Sequence, residues 1–398
     1  MTDLFWPGEQ RAAALMSDET FLAALVDVES AWLAVLVEHG VAPASAAADL
    51  TALVDHTDAA TIAAGAEKDG NPVTGLVALL RSRTDGEPAR WLHRGMTSQD
   101  VLDTALMLCL RDALRTVRIQ LSAQVRALAD MVAAHRYAPL LTRTLTQPAL
   151  PGTAGLKFAV WLGAVLDASD TLDCVPAPAV QAGGAAGSLA AATELTGSAD
   201  AAMAMSSALA AKLALAQALP WHTSRSRLTR TGDALVTCCD AWGHIANDVA
   251  VGCRTGEFAE SSGGGSSTMP HKSNPVLTVL LRRAALTAPP LGATLHSASA
   301  ASVDERSDGG WHAEWAPLRT LVRTTVVAAS HATDMLTGLR FDAARARSNL
   351  HAAEGIHAEQ QAMAQLTDRQ PAATYSGAGD QLTDAALRRA TAYLKETP

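Results

Sequence analysis

Between residues 261 and 275 the chain reads Ser-Ser-Gly-Gly-Gly-Ser-Ser-Thr-Met-Pro-His-Lys-Ser-Asn-Pro. Consecutive glycines are costly to order. Here they precede the hydroxyls of Ser266, Ser267 and Thr268, the imidazole of His271, the ammonium of Lys272 and the amide of Asn274. A closing loop of that composition suits an anion. It is not a phosphate-binding P-loop, because the glycine spacing differs and no strand is expected before it. Asn274-Pro275 reads as the cap and first turn of a following helix.

Four further polar clusters carry usable chemistry. His93-Arg94-Gly95-Met96-Thr97-Ser98-Gln99-Asp100 enters a helix, where hydroxyls and free backbone amides make a carboxylate seat. The others are Arg143-Thr144-Leu145-Thr146-Gln147-Pro148, then Trp221-His222-Thr223-Ser224-Arg225-Ser226-Arg227, then Asp304-Glu305-Arg306 with Trp311-His312-Ala313-Glu314-Trp315. All lie at breaks between apolar segments, so only aligned helix ends can bring them together.

The elements that must do this are helical. Ser17-Asp18-Glu19-Thr20 starts a helix that stops at Gly40, and Asn71-Pro72 caps a second run ending near Arg81 to Arg83. Long Ala/Leu-rich segments then cover 100–136, 152–175, 185–218, 227–256, 274–300 and 312–338. Such lengths predict an all-α, elongated bundle rather than alternating strands and helices. The apolar faces are wide enough to call for burial against partner subunits. Three domains are expected: 1–98, a central bundle 99–338 carrying the loop 261–275, and a small, shortened C-terminal domain 339–398.

Composition narrows the function. In 398 residues, 48% are hydrophobic, 18% charged and only 4% aromatic, which suits a large core of packed helices. The formal charge is −9, against general nucleic-acid or membrane binding but not against a small anion held by local cations. The five cysteines lack metal-ligand spacing and read as reduced core thiols. No metal or cofactor is called for. The start of the chain has no signal-peptide pattern, and charges interrupt the apolar stretches of the middle too often for spanning helices; a cytoplasmic protein is expected.

Gly265 to Pro275 resembles the signature loop of the fumarase/aspartase superfamily, and Gly95-Met96-Thr97-Ser98-Gln99-Asp100 with Asp103-Thr104 resembles its first active-site segment. The stretch Leu4-Phe5 to Glu29, Leu219-Pro220-Trp221-His222-Thr223 and Gly310-Trp311-His312-Ala313-Glu314-Trp315 are similar to the bacterial 3-carboxy-cis,cis-muconate cycloisomerase branch. The resemblance covers about residues 1–365. It implies a homotetramer with a shared twenty-helix core, each active site built from three subunits around a small polycarboxylate. It also implies that Ser266 carries the proton while Lys272 and Asn274 hold a carboxylate and the charge developing on it. Substrate-binding roles follow for His93, Thr97, Ser98, Thr144, Gln147, His222, Arg225, Ser267, Met269, His271 and Arg306.

The sequence departs from the wider family at Leu145, where fumarases and the argininosuccinate and adenylosuccinate lyases have histidine on the leaving-group side. Leucine cannot relay a proton, so an amine or hydroxide would lack assistance. An internal carboxylate is ionised at neutral pH and needs none. That favours lactonisation of 3-carboxy-cis,cis-muconate to 4-carboxymuconolactone, with elimination of a weakly basic anion from a substituted succinate as the alternative. Ser273 stands where this branch commonly has arginine, and Ser224 and Ser226 stand for its Gln and Asp.

Overall fold

The computed structural model describes residues 4–261, 264, 265, 269 and 272–396. In chain order the helices and strands are α1 (Asp18–Glu38), α2 (Asp58–Asp69), α3 (Pro72–Ser82), α4 (Gly86–Trp91), α5 (Ser98–Ala134), β1 (Pro139–Thr144), β2 (Gln147–Thr153), α6 (Ala154–Asp173), α7 (Ala190–Thr196), α8 (Ala199–Lys212) and α9 (Ser226–Thr255). Then follow β3 (Phe258–Glu260), α10 (Val276–Ala300), α11 (Gly309–Gly338), β4 (Leu339–Phe341), α12 (Ala343–His351), α13 (Ala358–Thr367) and α14 (Gly379–Glu396).

The long helices stand close to where apolar spacing puts them. Their starts are capped as expected: Ser17 Oγ accepts the Thr20 N–H at 3.1 Å, and Asn71 Oδ1 accepts that of Val73 at 3.0 Å. Two expectations change. The segment 185–218 is not one helix, because Gly197 turns left-handed at φ 67° and Ser198 starts α8 anew. Residues 139–153 break the all-α expectation with an antiparallel hairpin that runs straight into α6. Pro148 and Pro151 forbid helix there, while the edges of a two-stranded ribbon accept them.

The chain divides into two compact units. The first comprises Met1–Thr116, Val175–Asp233 and Pro290–Arg323; the second comprises Val117–Cys174, Ala234–Pro289 and Thr324–Pro398. In the first, Leu25, Val28, Trp32, Leu33, Val35 and Leu36 of α1 are buried. By length and composition α1 is the one helix among the described residues apolar enough to cross a membrane. Those buried residues give it the character of a core helix. In the second, Phe158, Trp161, Phe258 and Phe341 stack edge-on and tilted around the base of the hairpin. There, β3 pairs with β4 through Phe258↔Phe341 and Glu260↔Leu339.

Candidate active site

In the first unit, the turn into α5 is organised by one buried carboxylate. Asp100 Oδ2 accepts the N–H of Thr97 at 3.0 Å and of Gly184 at 2.9 Å. Its Oδ1 accepts the Gly183 N–H at 3.0 Å and Gln181 Nε2 at 3.3 Å, and lies 2.8 Å from His222 Nε2. The contact back to Thr97 is the reach of a capping box. It leaves the Thr97 hydroxyl unspent on capping, and Arg306 Nη2 donates to that hydroxyl at 2.5 Å and to Ala185 O at 3.2 Å. Thr97 and Arg306 are thus brought together, and Ser98 opens α5 beside them. Gly183 has to be glycine, since a Cβ there would lie 2.6 Å from His222 Cε1.

His93 sits at the head of the same turn, left-handed at φ 63°, with Nδ1 2.6 Å from Glu29 Oε1 on α1. Arg225 was expected to meet the substrate; its guanidinium is instead spent inside the protein. Nη1 and Nη2 donate to Asp103 at 2.7 and 3.0 Å, Nε donates to Glu314 Oε2 at 3.2 Å, and Nη2 also contacts Glu314 Oε1. Trp221 lies flat against it, 4.7 Å from ring centroid to guanidinium, and Trp311 Nε1 donates to Asp103 at 3.1 Å. Burial opposes the charge on Arg225, but the two carboxylates outweigh it and raise its pKa. Burial pushes Glu314 up to about 7 despite the nearby cation. His222 is likewise buried, with Nε2 turned to Asp100.

In the second unit, the hairpin tip is the tight turn Leu145-Thr146, both at positive φ (48° and 72°) between paired Thr144 and Gln147. The Leu145 side chain is 95% exposed. Arg143 fixes the strand below by donating to both oxygens of Glu257, at 3.0 and 2.8 Å, and Asn349 Nδ2 adds 2.8 Å. Burial works against the Glu257 charge, but these donors prevail and hold its carboxyl below the usual range.

The glycine loop is fixed at its stems. Gly264 and Asn274 exchange backbone hydrogen bonds, 2.9 Å each way. Glu260, not Asn274-Pro275, caps α10: its carboxylate accepts the N–H of Leu277 at 3.1 Å, the N–H of Thr278 at 2.7 Å and the Thr278 hydroxyl at 2.5 Å. Among the described residues the Asn274 amide makes no capping hydrogen bond to α10. Lys272 is exposed, its N–H donating to Met269 O at 3.0 Å. Ser266, Ser267 and His271 lie outside the described residues.

Sequence reasoning did not assign Asp100, Glu29, Glu257 and Glu260 the work they do. Two signals were available: Thr97 to Asp100 has capping-box spacing, and Glu29 interrupts the buried stripe Leu25, Leu33, Leu36 of α1.

A family model described as lyase matches residues 11–288. The chain belongs to that family, within the fumarase/aspartase superfamily. Among its lyase relatives, a nitrosuccinate lyase of Streptomyces davaonensis is 41% identical over 368 residues, 89% of this chain and 77% of that protein. A 3-carboxy-cis,cis-muconate cycloisomerase of Bradyrhizobium diazoefficiens is 38% identical over 356 residues, 86% and 77%. The crystal structure of a 3-carboxy-cis,cis-muconate lactonizing enzyme from Pseudomonas putida matches with a TM-score of 0.80 and 32% identity, over 95% of this chain and 85% of that one.

Proposed function

We propose that this chain is a 3-carboxy-cis,cis-muconate cycloisomerase. The observation that carries the reading is Leu145 at the tip of the hairpin, where the wider family has a proton-relaying histidine. A carboxylate of the substrate attacks C4 of the diene and forms the lactone C–O bond. The displaced electron pair becomes an aci-carboxylate carbanion, which Ser266 protonates at carbon, the resulting alkoxide regaining its proton from solvent. Nothing leaves, so no acid is needed on that side. Lys272 and Asn274 stabilise the developing charge, and Thr97, Ser98 and Arg306 seat another carboxylate. Thr144, Gln147, Ser267, Met269 and His271 line the remainder.

The working form is a cytoplasmic homotetramer, each site drawing its segments from three subunits. Ile119, Val279 and Leu286, apolar and exposed on long helices of the isolated chain, support that assembly. Replacing Ser266 with Ala tests the proton assignment: turnover is lost with the assembly unchanged, and near-wild-type turnover would overturn it.

A second reading is favoured by the 41% identity to the nitrosuccinate lyase. In it the chain eliminates a weakly basic anion from a substituted succinate, for which Leu145 is equally suitable. The two are separated by offering both substrate types to one preparation.

A further inference from the structure

Glu29 is fully buried on α1, and its Oε1 lies 2.6 Å from His93 Nδ1 while Oε2 has no hydrogen-bond partner among the described residues. One turn along the same face, Trp32 Nε1 donates to Arg94 O at 2.7 Å. Trp32 also packs where a Cβ on Gly95, at φ 87°, would lie 3.5 Å from its ring. Neighbouring residues of α1 therefore grip successive residues of the turn that leads to Thr97. The turn is held in a backbone conformation that a histidine seldom adopts, φ 63°. His93 remains 18% exposed, and its Nε2 has no partner among the described residues.

An ionised carboxylate can only accept, so Nδ1 is the donor and Nε2 is the nitrogen left for a ligand. We propose that Glu29 is a positioning residue for His93, fixing Nδ1–H so that Nε2 faces a carboxylate of the substrate. The identity of that ligand rests on the function proposed above; the tautomer does not. With the substrate bound, His93 takes a second proton from solvent on Nε2, and the imidazolium lies between two carboxylates and donates to each. Buried Glu29 then balances the charge that His93 presents.

Two measurements test this. Calorimetric titration with tricarballylate, a saturated tricarboxylate, uses the wild type, Glu29→Gln, Glu29→Asp, His93→Ala and the double variant Glu29→Gln/His93→Ala. Glu29→Gln weakens binding about tenfold or more, Glu29→Asp less, and Glu29→Gln costs nothing further once His93 is gone. Additive losses would overturn the proposal, since a residue that only supports the fold acts with or without His93. The second measurement needs no ligand: solid-state nitrogen-15 spectra of histidine-labelled protein, with His93 assigned by its loss in His93→Gln. Wild type carries the proton on Nδ1, and Glu29→Gln moves population to the Nε2–H form. A bare Nδ1 in the wild type, or an unchanged spectrum in the variant, would overturn it. Should the wild type ignore tricarballylate while the spectra behave as stated, the functional reading falls and the positioning role stands.

Discussion

Arg225 donates to Asp103 through both terminal nitrogens, at 2.7 and 3.0 Å, and solvent reaches neither side chain. This ion pair lies beneath the Thr97 turn and joins α5 to the start of α9. With Glu314 it places two carboxylates on one guanidinium. Removing the cation leaves both unpaired: Arg225→Met lowers unfolding free energy by about 3–5 kcal/mol in urea denaturation. A loss of only substrate affinity, with stability intact, would restore Arg225 as a ligand contact.

Glu314 makes stability depend on pH. Burial raises its carboxyl to about 7, so the folded state holds a proton that the unfolded chain releases at ordinary carboxylate values. Its contribution is complete below about pH 4.5 and falls as pH rises toward 7. Glu314→Gln flattens that part of the profile. An unchanged slope in denaturation midpoints would assign the proton elsewhere.

Glu260 is the second predicted weak point. Glu260→Ala removes acceptors from two backbone N–H groups and one hydroxyl at the start of α10. A loss of about 1–3 kcal/mol follows. Because Asn274 stands two residues before α10, kcat falls more than KM rises. Steady-state kinetics beside a denaturation curve checks both.

Leu145 should be dispensable as chemistry. Leu145→Ala changes kcat by less than about tenfold, far below the effect of removing a general acid or base. A hundredfold loss would show that the hairpin tip shapes the pocket. Arg306→Ala, by contrast, raises KM by about tenfold or more through loss of a charged hydrogen bond.

The long helices were legible because apolar spacing and capping residues are local signals. Ser17 and Asn71 cap where their identity says they should. The hairpin was not legible: Thr144 and Gln147 flank a turn whose central residues, Leu145 and Thr146, are poor formers of left-handed backbone, so only pairing across the ribbon reveals it. The candidate site residues were readable as side-chain types, since the segment of Thr97 and that of Lys272 and Asn274 each stand in a specific pattern. Their supports were not. Asp100 binds Gly183, Gly184 and His222 from 80 or more residues away, and no periodicity reports such distance. Arg225 shows the same limit from the other side. An arginine at a helix start reads as a ligand contact until Asp103 and Glu314 are seen to hold it.

The measurement that bears most directly on the proposed function is an absorbance assay without added metal. Purified enzyme is mixed with 3-carboxy-cis,cis-muconate, and the product is identified by NMR. Rapid loss of the conjugated diene, formation of 4-carboxymuconolactone and silence in Ser266→Ala are the expected results. No turnover of the diene by the folded, assembled protein, with release of nitrite from nitrosuccinate instead, would contradict the cycloisomerase reading.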